Sequence, residues 1–227
     1  FILDRMITER KSRIACSKSY RISRGYMNEI LQELKKEYHI YAPVHVHDRG
    51  MWETDGLIRY QEIESVDEIV NDQQSDFSPK EVIYPVAQTI FTFDENSCKE
   101  TRSNDPKGII IFMRPCDING LKRLDNMFLA NGGMSDVYYK AMRDKVKIFM
   151  MECERSWENC YCVSMGTNQT ENYSVAWQLH GDMVQLKIKD AEFLGYFEWA
   201  AECEYEPNFI TENERKVKVP DIKSPDM

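Results

Sequence analysis

Two short apolar runs, Gly-Ile-Ile-Ile-Phe-Met at 108–113 and Val-Lys-Ile-Phe-Met-Met at 146–151, constrain the fold more than anything else in this chain. Each has strand length and is apolar enough to be buried on both faces, the pattern of an inner strand in a parallel sheet. Between them lie two amphipathic stretches. In the first, Ile118, Leu121, Leu124 and Phe128 face inward, Asp117 is placed to cap it, and Asn131-Gly-Gly ends it; Ser135 or Asp136 opens the second, which reaches Arg143. Strand, helix, helix, strand is a crossover, and a right-handed crossover returns the second strand parallel to the first. The expected fold class is α/β, a mixed sheet with a central parallel β-α-α-β crossover unit and flanking helices.

The flanking segments follow the same rules. Met27, Ile30, Leu31, Leu34 and Tyr38 recur at helical spacing and predict an amphipathic helix over 26–38. Residues 39–42 run extended into Pro43, which disfavours helix before it. Residues 57–63 alternate as a strand, and Ser65 with Glu68 forms a capping-box signature for a short helix through Val70. Short strands are expected at 81–84 and 89–93, polar connections at 71–79 and 94–107, a hairpin at 173–180 and 183–188 about Gly181-Asp182, and a helix over 191–202. Residues 1–24, rich in Lys and Arg, read as a disordered leader, 25–214 as a single α/β domain, and 215–227 as a linker.

The chain has 227 residues, with 29 basic against 38 acidic side chains and a formal net charge of −9. That balance argues against sequence-nonspecific nucleic-acid binding and against anionic membrane surfaces, both of which need surplus Lys and Arg. Its apolar runs fall far short of the roughly 20 residues that span a bilayer. Phe-Ile-Leu followed at once by Asp4 and Arg5 is the wrong order for a secretory signal, so a cytoplasmic location is expected. Seven Cys, an odd number at irregular spacing, do not form a disulfide framework and are left as reduced thiols or metal ligands.

No Gly-rich dinucleotide fingerprint, P-loop, zinc-protease helix or nucleophile elbow is present, nor any Cys-x-x-Cys. What remains is a cysteine set. Cys116 follows the first apolar strand and Cys153 the second, at the carboxyl ends where ligands collect in open parallel sheets. Cys160 and Cys162 follow within ten residues; if extended, they point to one face with Cα atoms about 6.6 Å apart. Four thiols thus converge on a metal site suited to zinc or an iron–sulfur cluster, with Arg114 offsetting their charge. Alternatively they are free cysteines that pack as small hydrophobes. Arg114 and Asp117 admit another reading as cofactor-binding residues, since amides opening a helix form an anion site for a phosphate or flavin. His45 and His47, followed by Asp48, fit a solvated loop better than a metal site.

Arg114-Pro-Cys-Asp-Ile-Asn-Gly-Leu-Lys-Arg-Leu-Asp125, continued by Phe128-Leu and Asn131-Gly-Gly, closely resembles the A subunit of anaerobic sulfite reductase, as does Cys153 with the run from Glu158 to Asn168. The chain is more distantly similar to the β subunits of soluble sulfhydrogenases. The resemblance implies a cytoplasmic electron-transfer subunit without a catalytic centre of its own. Its partners would be one subunit that binds flavin and NADH, and another that binds siroheme and reduces sulfite to sulfide. Members of that family carry [4Fe–4S] clusters on ferredoxin-type cysteine runs in a C-terminal part, a type of run absent here, so 215–227 is expected to lead toward it. The residue-level alternatives are a structural docking subunit with free thiols and a nucleotide- or flavin-binding module.

Overall fold

The computed structural model describes residues 17–46, 56–101 and 105–215. The fold is mixed α/β, with a large sheet of parallel and antiparallel strands and several helices. Two compact units are distinguished. One takes the described residues of Phe1–Ile30, Met113–Gly120 and Ile148–Met227; the other takes those of Leu31–Phe112 and Leu121–Lys147.

In the first unit the strand order is β10 (Ala201–Glu202), β1 (Lys18–Ser23), β9 (Met183–Ile188), β8 (Val175–His180) and β7 (Val146–Met151). Strand β8 runs parallel to β7, with Val175 opposite Phe149, and antiparallel to β9. The β8–β9 turn is the expected hairpin, and Gly181 supplies its positive φ of 57°. Strand β1 lies within the expected leader, whose residues 1–16 fall outside the described residues. Tyr20 and Ile22 are buried while Lys18, Arg21 and Ser23 face out, and this half-buried alternation pairs β1 with β9. The expected helix at 191–202 is instead a 3-10 segment, Ala191–Phe197, with Gly195 in its middle disfavouring a regular helix. Phe193 packs edge-on against Phe149 at 5.1 Å, and Phe197 stacks near Tyr20 at 6.2 Å.

In the second unit the order is β6 (Gly108–Met113), β2 (Tyr38–Val46) and β3 (Leu57–Glu62). Strand β2 is parallel to β6 over 38–41 and antiparallel to β3. Pro43 is tolerated inside β2 because it lies past the parallel ladder, and its carbonyl accepts from the Val70 N–H at 2.8 Å. Helix α1 (Arg24–Leu34) buries Met27, Ile30, Leu31 and Leu34 as expected, but Tyr38 begins β2. Its ring covers Gly108 so closely that a Cβ there would lie 2.6 Å from ring carbons, which leaves room only for glycine. The capping box is formed: Ser65 Oγ accepts from the Asp67 N–H, and Glu68 Oε1 accepts from the Ser65 N–H at 2.8 Å.

Two expectations in this unit are corrected. Residues Lys80–Ile83 form a short helix, α2, instead of a strand; the strand expected at 89–93 is β4 (Phe91–Phe93), and the expected 94–107 connection contains a further strand, β5 (Cys98–Glu100), that pairs with it as a hairpin. The Asp94 carboxylate nucleates that turn by accepting the Asn96 and Ser97 N–H groups, both at 2.8 Å. The crossover elements follow β6 in the expected order. Helix α3 (Pro115–Asp125) runs into one π-helical turn, Asn126–Ala130, and stops where Gly132 and Gly133 take positive φ. Asp136 caps α4 (Val137–Arg143), accepting the Tyr138 and Tyr139 N–H groups at 3.0 and 2.8 Å. Asp125 accepts from Tyr139 Oη at 2.8 Å and Arg143 Nε at 2.9 Å. The Ile109 N–H donates to the Lys145 carbonyl at 2.9 Å, so β6 begins against the residue preceding β7. Among the described residues no helix is long and apolar enough to cross a membrane.

His39 lies on β2 with Nδ1 2.8 Å from Glu62 and Nε2 2.7 Å from Asp105. The Glu62 hydrogen bond is the largest influence and raises its pKa above the ordinary 6.5; burial opposes and Asp105 adds to the rise. A raised histidine contributes stability that is complete below 6.5 and lost as pH climbs through the folded value. His39→Gln is therefore expected to lower the urea midpoint at about pH 6 and to have little effect at about pH 9. The group is partly exposed, so the loss should not exceed about 1 kcal/mol. Equal losses at both pH values would contradict the charge assignment.

Candidate thiol site at the ends of two strands

All six residues singled out from the sequence as site candidates fall in the first compact unit. Strand β6 ends at Met113, and Arg114 is next, only 4% exposed. Helix α3 then opens at Pro115, whose missing N–H and fixed φ suit a first helical position. The Arg114 carbonyl accepts from the Ile118 N–H at 3.0 Å, so Arg114 occupies the cap and Asp117 lies in the first turn. This corrects the expectation that Asp117 caps the helix. Its carboxyl accepts from the Arg114 backbone N–H, the reach-back half of a capping box. Burial pushes Asp117 up to about 6, against the pull of the Arg114 charge and that hydrogen bond. An anion at this helix opening thus meets neither an Arg114 N–H, taken by Asp117, nor a Pro115 N–H.

Strand β7 ends at Met151, and the next residue, Glu152, is also buried. Its carboxylate accepts from Tyr205 Oη and, at 2.9 Å, from the Asn208 N–H. Cys153 follows and begins a loop of turns through 168. Cys160 and Tyr161 are in irregular backbone and Cys162 opens a turn, closed by the Thr167 N–H on the Cys162 carbonyl at 2.8 Å. The extended Cys160-Tyr-Cys162 segment assumed from sequence is therefore not a strand. Side chains at a distance hold the loop in place. Asn119 on α3 donates to the Thr167 and Gln169 carbonyls at 3.1 and 3.0 Å. Asn168 donates to the Ile210 carbonyl at 2.7 Å, Asn213 donates to Ser164 Oγ at 2.8 Å, and Ser156 Oγ accepts from the Glu214 N–H at 3.1 Å. Arg215 pairs with Glu158.

Cys116, Cys153, Cys160 and Cys162 are all reduced and half-buried. Burial raises the Cys116 thiol most, with the charges of Asp117, Cys153 and Cys162 adding and Arg114 opposing. Burial likewise raises Cys153, whose charge is relieved by Arg114 and opposed by Cys160 and Asp117. Burial raises Cys162, with Cys160 and Cys153 adding. The four thiols are thus electrostatic neighbours. Among the described residues, however, no three His, Cys, Asp or Glu side chains are gathered so as to hold a metal ion. Arg114 Nη1 lies 3.5 Å from Cys153 Sγ, and its guanidinium carbon lies 4.2 Å from the Trp157 ring centroid. Trp157 is a residue that sequence reasoning passed over, because its spacing from Cys153 and Cys160 follows no ligand pattern. The same holds for Asn119 and Asn168, for Tyr205 and for Asn213. His45 is an exposed residue of β2, while His47 and Asp48 lie outside the described residues.

No protein-family model matches the chain, and no solved structure matches it. Over 144 residues, 63% of this chain, it is 28% identical to sulfhydrogenase 2 subunit beta of Pyrococcus furiosus. The match spans 40% of that relative's length.

Two outcomes test this geometry. With the protein kept reduced and metal-free, brief iodoacetamide treatment near pH 8 followed by peptide mapping should label exposed Cys98 first and Cys116 last, because burial holds the Cys116 thiol un-ionised. Early labelling of Cys116 would contradict its placement. Tyr205→Phe removes a donor from buried Glu152 and should cost about 1–3 kcal/mol in urea unfolding. Burial already raises the Glu152 pKa. The penalty should therefore shrink as pH is lowered and the carboxyl takes up its proton, and grow as pH is raised and the carboxyl ionises.

Proposed function

We propose that the chain is part of an electron-transfer subunit of an oxidoreductase complex and that Cys116, Cys153, Cys160 and Cys162 hold a [4Fe–4S] cluster. The observation that carries the reading is the mutual influence of four reduced thiols beside a buried guanidinium. Thiolates are the ligands of iron–sulfur centres, and such a centre supplies one-electron transfer when bound. Zinc would need sulfurs about 3.8 Å apart around bonds near 2.3 Å, whereas a cluster spreads its ligands more widely. In this role the opening of α3 presents Cys116, the end of β7 presents Cys153, and the loop from 153 to 168 presents the other two.

The likeness to a sulfhydrogenase β subunit supports a place in a multisubunit redox complex. Within that class we assign the chain to the A subunit of an anaerobic sulfite reductase. It would relay electrons from a flavin- and NADH-linked partner to a siroheme partner in the cytoplasm, and would perform no sulfite chemistry itself. The assignment rests on the Arg114-Pro-Cys-Asp and Glu158 to Asn168 segments. The reading of a docking subunit with free thiols draws on a specific observation, the lack of a gathered metal-ligand group among the described residues.

Anaerobic reconstitution with iron and sulfide separates the two. Bound iron and acid-labile sulfide, with a cluster absorption that disappears in the Cys160→Ser, Cys162→Ser double variant, is the expected result. No iron uptake, or a spectrum indifferent to that substitution, would replace the cluster with the free-thiol reading.

A further inference from the structure

The amino ends of β2 and β6 carry a feature that the thiol site does not use. An open cleft of about 490 Å³ is lined there by four lysines, Lys36, Lys107, Lys145 and Lys147, and by two carboxylates, Glu37 and Asp144. All of its lining residues belong to the second compact unit. In a chain with a formal net charge of −9, such a concentration of ammonium groups runs against the general field. We propose that this cleft binds a small phosphate monoester, a proposal independent of the cluster reading above.

Two of the lysines are held by neutral acceptors. Lys36 pairs with Glu33 and Asp144 with Lys140, both at 2.5 Å. Lys107 Nζ instead donates to the Lys35 carbonyl at 2.8 Å, and Lys145 Nζ to the Asp105 carbonyl at 2.6 Å. A carbonyl orients an ammonium without neutralising it, and an ammonium has further N–H groups to offer a ligand. Lys107, Lys145 and Lys147 are also half-buried, which fixes their stems and lessens the screening of their charge. The Asp105 carboxylate is taken up by His39 Nε2 at 2.7 Å and by the Lys107 N–H at 2.9 Å, while Glu37 opposes an anion. Four ammoniums against two carboxylates match a dianion, and a phosphate monoester carries about −1.5 to −2 at neutral pH. Lysine binds phosphate as a point charge and needs no planar fork. The cleft is larger than one phosphate and falls within the roughly 300–1,000 Å³ of small-molecule sites, which suits a compact ester better than an extended acidic peptide. Tyr38 and Pro106 give it an apolar lining for the rest of the ester.

The test uses the full chain with adenosine 5′-monophosphate as the probe, titrated calorimetrically alongside adenosine, inorganic phosphate and poly-glutamate. The nucleotide should bind saturably, inorganic phosphate should compete with it, and adenosine should bind far more weakly. Replacing both Lys107→Gln and Lys145→Gln keeps a donor for each carbonyl but removes both charges, and should weaken nucleotide binding about tenfold or more. An unchanged affinity in that variant, or equal binding of adenosine, overturns the proposal. So does an absence of binding at millimolar nucleotide, or binding of poly-glutamate in its place, which would make the cleft a protein-docking surface. Should the double variant fail to fold, the amide resonances of 15N-labelled wild type decide the matter. Shifts at Lys107, Gly108 and Lys145 on adding the nucleotide support the site, and shifts confined to other residues overturn it.

Discussion

The rest of the structure depends on the two-sided burial of two strands. Ile109 to Met113 of β6 are all buried, as are Ile148 to Met151 of β7. A strand covered on both faces cannot surface gradually, so the residue after each end remains in the interior. In both cases that residue is ionisable: Arg114 after β6 and Glu152 after β7. A buried charge without partners costs several kcal/mol, and the chain answers each in its own way. Arg114 receives a tryptophan face and a thiol, and Glu152 a phenol and a backbone amide. The architecture around the cysteines is largely the set of groups that these two ends demand.

That demand also orders the thiols. Cys116 follows Arg114 by two residues and Cys153 follows Glu152 directly, so neither is free to swing into solvent. Burial raises both, against the opposing charge of Arg114. A positively charged occupant reverses that balance, because it lowers the cost of the thiolate where the protein alone raises it.

What was legible in the sequence was what periodicity encodes. The apolar runs of β6 and β7, the capping box at Ser65, the Asp136 cap and the Gly181 turn each depend on neighbours within a few residues. The misreadings share another cause. In β1 only Tyr20 and Ile22 mark the buried face, and the surrounding Lys and Arg concealed so short an alternation. The β4–β5 hairpin is fully exposed, so no apolar pattern announced β5; its signal was the Asp94 turn. Strand propensity at 81–84 was overridden by a one-turn helix. At the site, the cysteines could be picked out because their residue type is rare and their positions follow from topology. Trp157, Asn119 and Asn213 could not, since each acts through a partner brought close only by folding.

The ties on the cysteine loop carry a consequence for the order of events in folding. The Asn168 to Ile210, Val163 to Asn213 and Ser156 to Glu214 contacts span sequence separations of 42, 50 and 58 residues. Closing loops of that length is entropically costly, and such contacts form late relative to turns and hairpins. The loop bearing Cys160 and Cys162 is therefore fastened only when a segment some fifty residues downstream arrives. Until then the loop is held only by its own turns, and afterwards it can open only when that downstream segment lifts away.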